Sequence, residues 1–373
     1  MRILIVMGTR PEAIKMAPLI RELSARKEVF SRVAVCLTGQ HRELIDPVMS
    51  LFELPVHHNL NLMRPRQTIN EVTCAVLTGV DDVIVGEKPD MILYHGDTTT
   101  AFAAALAAFY AKIPSGHVEA GLRTGDKWRP FPEEMNRRMI DHMCDWRYAP
   151  TNASRDNLLR ELIPARRILV TGNTVVDALR YIAALPHRFD DPVLESMGSE
   201  RPMMLVTAHR RESFGGATSG ITAALVEIAR RNPDIDILFP VHPNPNVRAA
   251  VEPLRGLPGL HLIEPVDYVQ FIHLLKRARL ALTDSGGIQE EAPSLGVPLL
   301  VMRDVTERPE AVTAGMARLV GTDTERIVAA VEELLHDDAV HDAMKMKGRP
   351  GPYGDGRAAV HIADHLESLA KKK

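Results

Sequence analysis

Little in this sequence points to a specialised environment. Only three cysteines occur in 373 residues, Cys36, Cys74 and Cys144, far apart and without a CxxC pair. A scattered, odd set fits a reducing compartment and excludes a disulfide-built scaffold. Charge of neither sign is in excess: 45 Lys+Arg against 48 Asp+Glu leave a formal net charge of −3. That excludes the strongly basic surface of a dedicated nucleic-acid binder. No apolar run approaches the ~18 residues of a membrane span. The longest, around Ala101–Ala111, is Ala-rich, stops at Lys112 and Pro114, and reads as a packed helix. The apolar Met1–Met7 is followed at once by Arg10, Glu12 and Lys15 with no small-residue cleavage site, so no secretory signal is expected. The 15 histidines include no HExxH and no Cys/His cluster at zinc spacing, so no metal is expected. The expectation is a cytoplasmic protein without metal or cofactor.

What is present is alternation. Short apolar runs at Arg2–Val6, Val33–Leu37, Met91–Tyr94, Gly116–Val118, Trp146–Tyr148 and Ile168–Val170 read as strands, followed by Met203–Val206, Ile235–Phe239, Leu260–Ile263, Leu280–Leu282, Pro298–Val301 and Arg318–Val320. Between most of them lie helical patterns such as Ile14–Arg26 and Ala217–Arg231. Such alternation predicts an α/β protein with parallel sheets and crossover helices. Two sets of six strands, with a break between Gly172 and Pro202, predict two doubly wound Rossmann-like domains, residues 1–172 and 173–356. A closing segment, residues 357–373, is read as a helix (about Arg357–Leu369) packing back on the first domain. Ligands of open α/β sheets sit beyond the carboxyl ends of the strands. The two domains are therefore expected to face a central cleft lined by the loops that follow their strands.

Those loops carry the informative residues. The first strand ends in Gly8-Thr9-Arg10-Pro11-Glu12-Ala13-Ile14-Lys15. Pro11 suits a first helical turn, which puts Arg10 at a helix start and Lys15 a turn further in. A helix N-terminus with two cations is an anion site; alternatively these are solvated surface cations. The loop lacks the GxGxxG pattern of dinucleotide binding. Later, Asp284-Ser285-Gly286-Gly287 enters a helix bearing Glu291, with Arg308 beyond. Glycines let a backbone approach phosphate closely, and an acidic residue at this depth can bind a ribose; a helix cap by Asp284 or Ser285 is the other reading. Together these suggest a nucleoside diphosphate. Tyr268 and Phe271 could stack a pyrimidine or simply pack in the core. Carboxylates follow consecutive strands: Asp97 in HGDTTT, Glu119 in HVEAGLR, Glu133 and Glu134 in PFPEE. Acids that converge can have their pKa values pushed apart, giving one base and one proton donor. Singly, each reads equally as a helix cap or a salt-bridged side chain. His209 with Arg210 and Arg211 follows the first strand of the second half, where an imidazolium could neutralise or protonate a departing phosphate; a basic surface turn is the other reading.

Taken in order, GTRPEAIKMAPLI, TGQHREL, HGDTTT, HVEAGLRTGD, PFPEEMNRR, GNTVVDAL, TAHRRESFG, PVHPNP and DSGGIQEEAPSLGVPLLVMRDVTERPEA, running from residue 8 to about 321, resemble the non-hydrolysing UDP-N-acetylglucosamine 2-epimerases. The resemblance implies a GT-B-like fold and reversible inversion at C2 of UDP-N-acetylglucosamine to UDP-N-acetylmannosamine. The implied route is elimination of UDP to a 2-acetamidoglucal and its re-addition, supplying N-acetylmannosamine units for surface polysaccharides. It implies that Asp97, Glu119, Glu133 and His209 are catalytic, and that Arg10, Lys15, Phe271, Ser285, Gly286, Gly287, Glu291 and Arg308 contact the UDP-sugar. It also implies a homodimer, and an activator site for a second UDP-N-acetylglucosamine around Gln40, His41, Glu43, Arg66, Arg210 and His242. Some members carry Gln where Glu43 stands, and an acid there repels phosphate unless paired. A hydrolysing epimerase that releases UDP and N-acetylmannosamine shares the fold and many of the loops. A non-catalytic nucleotide-sugar sensor is a second alternative, but it would allow drift at Asp97, Glu119, Glu133 and His209, all of which are present.

Overall fold

The strand β1 (Arg2–Met7) is buried at every position after Arg2, as a strand covered on both faces must be. In the computed structural model it lies in a parallel sheet with β2 (Arg32–Leu37), β3 (His58–Asn59), β4 (Met91–His95), β5 (Ser115–Val118), β6 (Trp146–Ala149) and β7 (Ile168–Val170). Their order is β3-β2-β1-β4-β5-β6-β7. A second parallel sheet contains β8 (Met203–Thr207), β9 (Asp236–Pro240), β10 (Leu260–Ile263), β11 (Leu280–Thr283), β12 (Leu299–Val301) and β13 (Ala317–Leu319), in the order β10-β9-β8-β11-β12-β13. The structure describes residues 1–39, 42–64, 66–208, 218–306, 308–345 and 351–372, without the side chains of residues 42–44 and 218–219.

Two Rossmann-like units follow, one comprising Met1–Ala178 and Tyr353–Lys373, the other Leu179–Pro352. The first sheet has seven strands rather than six. β3 pairs Cys36 with His58 and Leu37 with Asn59; two polar residues at a sheet edge leave no apolar run to read. In each sheet the order reverses beside the first strand, between β1 and β4 and between β8 and β11. Such switch points are where open α/β sheets bind ligands.

Each unit has a core of its own. In the first, Leu4, Val6, Ile92 and Tyr94 bury against Ala101, Ala104 and Ala108 of the helix Thr99–Tyr110. A small-residue helix can lie close to the sheet, and each fully buried aliphatic side chain contributes roughly 2 kcal/mol. The second core joins Met204, Val206, Leu225, Ile228, Ile237, Phe239, Leu282 and Val331. The last helix, Ala358–Ala370, packs along the helix Arg10–Ala25 of the same unit. There Arg26 pairs with Asp364 at 2.7 Å and Glu367 at 3.0 Å. Its first amides, of Ala358 and Ala359, donate to the Asp177 carboxylate at 3.1 and 2.9 Å. Among the described residues no helix is long and apolar enough to cross a membrane.

Candidate active site

Because β1, β4 and β5 are parallel neighbours, their carboxyl ends bring three loops side by side. After β4, Gly96 takes a left-handed conformation (φ +68°) and donates its N–H to Val118 O at 3.0 Å. This tight turn places Asp97 just before Thr98, whose hydroxyl caps the helix Thr99–Tyr110 through Ala101 N. After β5, Glu119 is itself left-handed (φ +70°), and the amides of Glu119 and Ala120 both donate to Tyr148 O at 3.1 Å. A non-glycine residue held there is strained, and such strain clusters at functional sites.

The Glu119 side chain, only 8 % exposed, is surrounded by donors. Lys15 Nζ forms an ion pair with Oε2, Asn173 Nδ2 donates to the same oxygen at 2.8 Å, and His95 Nε2 lies 3.6 Å away. Burial pushes this carboxyl up, but Lys15 and His95 outweigh it and hold it well below the usual range. Asp97 behaves oppositely. Burial raises its carboxyl; Arg137, 3.6 Å away, pulls it down, while Glu119 and Glu133 push it further up. The structure thus brings Glu119 and Glu133 within electrostatic reach of Asp97 and separates Asp97 from Glu119 in proton affinity. That division yields one group that stays charged and one that more readily holds a proton.

Glu133 opens the helix Glu133–Met143 and is half-buried. Its neighbour Glu134 is fully buried and serves the backbone, accepting from Thr124 N at 3.0 Å and Gly125 N at 3.3 Å. The first loop also departs from its sequence reading. Thr9 and Glu12 form a capping box, and the Glu12 carboxylate accepts from Gly8 N (2.9 Å) and Thr9 N (2.6 Å). The chain's own carboxylate therefore occupies part of the expected anion site. Arg10 is exposed at its rim, and Lys15 reaches Glu119 instead.

In the second unit, Ser285 N donates to Thr283 Oγ1 at 2.9 Å, and Gly287 is the N-cap of the helix Ile288–Ser294 without any side-chain cap. Neither Asp284 nor Ser285 caps this helix. The Arg308 guanidinium lies over Gly286 so closely that a Cβ there would meet Nη1 at 2.8 Å, and Arg308 Nε donates to Glu290 Oε1 at 2.7 Å. A side chain at this position would displace the guanidinium. Glu291 is buried, and its Oε1 accepts from Tyr268 O–H at 2.8 Å. Tyr268 and the half-buried Phe271 share the helix Tyr268–Arg277. Ser285, Gly286, Gly287, Glu291 and Arg308 thus gather at the carboxyl end of β11.

His209, Arg210, Gln40, His41 and the Glu43 side chain lie outside the described residues. Arg66 is exposed with φ +63°; His242 is exposed and its Nδ1 accepts from Asn244 N at 3.2 Å. Sequence reasoning did not single out His95, Asn173 or Arg137. His95 and Asn173 stand inside quoted motifs, HGDTTT and GNTVVDAL, so position relative to Asp97 was the available signal for the histidine. Nothing local marks Arg137 as the cation of Asp97.

Residues 21–367 match the sequence model of the UDP-N-acetylglucosamine 2-epimerases. The chain belongs to that family. It is 50 % identical over 375 residues to the UDP-N-acetylglucosamine 2-epimerase of Salmonella typhimurium, covering 99 % of each chain. Among solved structures it resembles a putative UDP-N-acetylglucosamine 2-epimerase from Listeria monocytogenes, with a TM-score of 0.93 and 42 % identity over 100 % of this chain and 97 % of that one. The family's enzyme from Neisseria meningitidis, solved bound to UDP-GlcNAc, gives a TM-score of 0.87 at 44 % identity, covering 99 % of this chain and 100 % of that one. The family assignment and the two parallel sheets agree on a GT-B-like, doubly Rossmann architecture.

Proposed function

We propose that this protein interconverts UDP-N-acetylglucosamine and UDP-N-acetylmannosamine without hydrolysis. The observation that carries this reading is the placement of two carboxylates at the ends of neighbouring strands in opposed surroundings. Glu119 is paired with Lys15 and Asn173 and so depressed; Asp97 is buried with Arg137 no nearer than 3.6 Å and so raised. The C2 proton is not next to a carbonyl, so direct deprotonation is not accessible. In the proposed route one carboxylate takes the C2 proton while the C1–O bond to UDP breaks and its electron pair leaves with the diphosphate. The product is a 2-acetamidoglucal. Return of UDP to C1, with a proton delivered to the other face of C2, gives the epimer.

Glu119 is the acceptor and Asp97 the donor in this scheme, with the roles exchanged in reverse and Glu133 assisting. Glu119 is a weak base while Lys15 holds it. A diphosphate that draws Lys15 away restores its basicity, so substrate binding itself arms the base. His209 stabilises or protonates the departing phosphate. Arg10, Lys15, Ser285, Gly286, Gly287 and Arg308 bind the diphosphate, Glu291 the ribose and Phe271 the base. The enzyme is a cytoplasmic homodimer supplying N-acetylmannosamine units for surface polysaccharides, with Gln40, His41, Glu43, Arg66, Arg210 and His242 holding a second UDP-N-acetylglucosamine as activator.

Proton NMR of UDP-N-acetylglucosamine with the protein in D₂O tests the reaction. Deuterium should enter C2 of both epimers without free UDP accumulating, and D97N should bind UDP yet lose most turnover. UDP released with each turnover would instead identify a hydrolysing epimerase, and wild-type turnover in D97N would remove Asp97 from the mechanism.

A further inference from the structure

Beside the two carboxylates lies a fully buried histidine–aspartate pair. His117 belongs to β5 and Asp141 to the helix Glu133–Met143, and both side chains are 0 % exposed. His117 Nδ1 lies 2.7 Å from Asp141 Oδ1, and its Nε2 lies 2.7 Å from Gly96 O. Both partners are acceptors, so both ring nitrogens donate. The other carboxylate oxygen of Asp141 accepts from Gly121 N at 3.2 Å and from Arg123 Nη2 at 2.8 Å. Arg123 is anchored by Glu161 at 2.9 and 2.7 Å. The Asp141 carbonyl accepts from Arg147 Nε at 2.8 Å.

The two backbone atoms gripped here are the ones that set the carboxylates. Gly96 O adjoins Asp97, and Gly121 N lies two residues beyond Glu119. Gly121 has no alternative: its φ is +89°, and a Cβ would sit 2.3 Å from Ser154 O. A buried ion pair is often no more stabilising than apolar residues of the same shape, so stability alone gives this hub little reason to be charged. Geometry gives it one, because misplacing a reacting group by ~1 Å costs on the order of 100-fold in rate.

We propose that His117 and Asp141 are positioning residues that clamp the Gly96 and Gly121 turns and so fix the separation of the Asp97 and Glu119 carboxylates. The inference rests on reading those two carboxylates as the catalytic pair.

Two substitutions divide the ring's two bonds. In H117N the amide can still donate to Asp141, but nothing reaches Gly96 O. In H117Q the longer amide can donate to Gly96 O, leaving Asp141 Oδ1 unpaired. Positioning predicts that kcat falls on the order of 100-fold in H117N, with KM and UDP affinity held within about 2-fold, while H117Q retains kcat within about 5-fold. A purely structural role predicts the opposite order, because H117Q leaves a buried charge unsatisfied and should have the lower thermal midpoint. The proposal is overturned if H117N turns over like wild type, or if both variants lose kcat in step with their melting temperatures. If H117N does not fold, H117Q alone decides: turnover maintained despite lost stability supports the clamp, and turnover lost with stability sinks it. D97N and E119Q run alongside separate the two claims. Their retention of turnover would sink the catalytic reading, whereas their loss beside an unimpaired H117N would sink only the clamp.

Discussion

Lys15 and Glu119 stand 104 positions apart in sequence and form a buried ion pair, their side chains 13 % and 8 % exposed. The strand order explains the meeting. Lys15 lies in the helix after β1, Glu119 at the end of β5, and β4 alone separates those strands. The pair connects a cation expected to meet phosphate with a carboxylate expected to handle a proton.

K15M leaves the Glu119 carboxylate buried without its main cation. Breaking a buried pair from one side costs about 3 kcal/mol. In wild type the depressed carboxyl contributes stability that is present above its unfolded value and lost as pH falls through the folded one. In K15M the carboxyl rises and protonates on mild acidification, which relieves the penalty. Urea denaturation should therefore show a large deficit for K15M at pH 7.5 that narrows by pH 4.5. A deficit independent of pH would mean that the ion pair does not govern Glu119.

Arg137 is the cation opposing the upward shift of Asp97, at 3.6 Å. Removing it in R137Q lets Asp97 hold its proton to higher pH. If Asp97 must donate a proton during turnover, the alkaline limb of the kcat profile should move up by about one pH unit. The measurement is C2 deuterium incorporation between pH 6 and 10; an unmoved limb would remove Arg137 from control of Asp97.

His365 sits between the rings of Trp146 (centroids 4.3 Å) and Tyr148 (5.7 Å), and its Nδ1 lies 3.1 Å from Tyr148 Oη. Burial, with Lys372 adding, lowers it to about 4. The unfolded chain binds this proton more readily than the folded one, so stability is lost as pH falls from about 6.5 toward 4. H365F keeps an aromatic ring but cannot titrate. Across that window its unfolding free energy should decline less than that of wild type, by about 2 kcal/mol after allowing for partial exposure. Equal slopes in the two proteins would refute the assignment.

Much of this site was legible because its loops are contiguous. HGDTTT, HVEAGLR and DSGGIQEE each place chemistry immediately after an apolar run, and a strand followed by a loop is a local signal. The partners were not legible. Whether Glu133 or Glu134 faces the other carboxylates is a matter of helical phase at the first turn, and the fully buried one proved to hold the Thr124–Gly125 backbone. Arg10 and Lys15 read alike as helix-start cations, yet one is exposed and the other is paired with Glu119. The edge strand β3, two polar residues long, had no periodicity to detect.

The sequence by itself determined the alternation of buried strands and crossover helices, hence two parallel sheets, and it marked the chemistry-bearing loops that follow the apolar strands. Those properties follow from hydrophobic patterning over a few neighbouring positions. Only the tertiary structure decided which charges meet: Lys15 with Glu119, Arg137 with Asp97, His117 with Asp141 and Gly96. Electrostatic free energy depends on distance and burial, and both are fixed by how strands and helices pack in space, not by spacing along the chain.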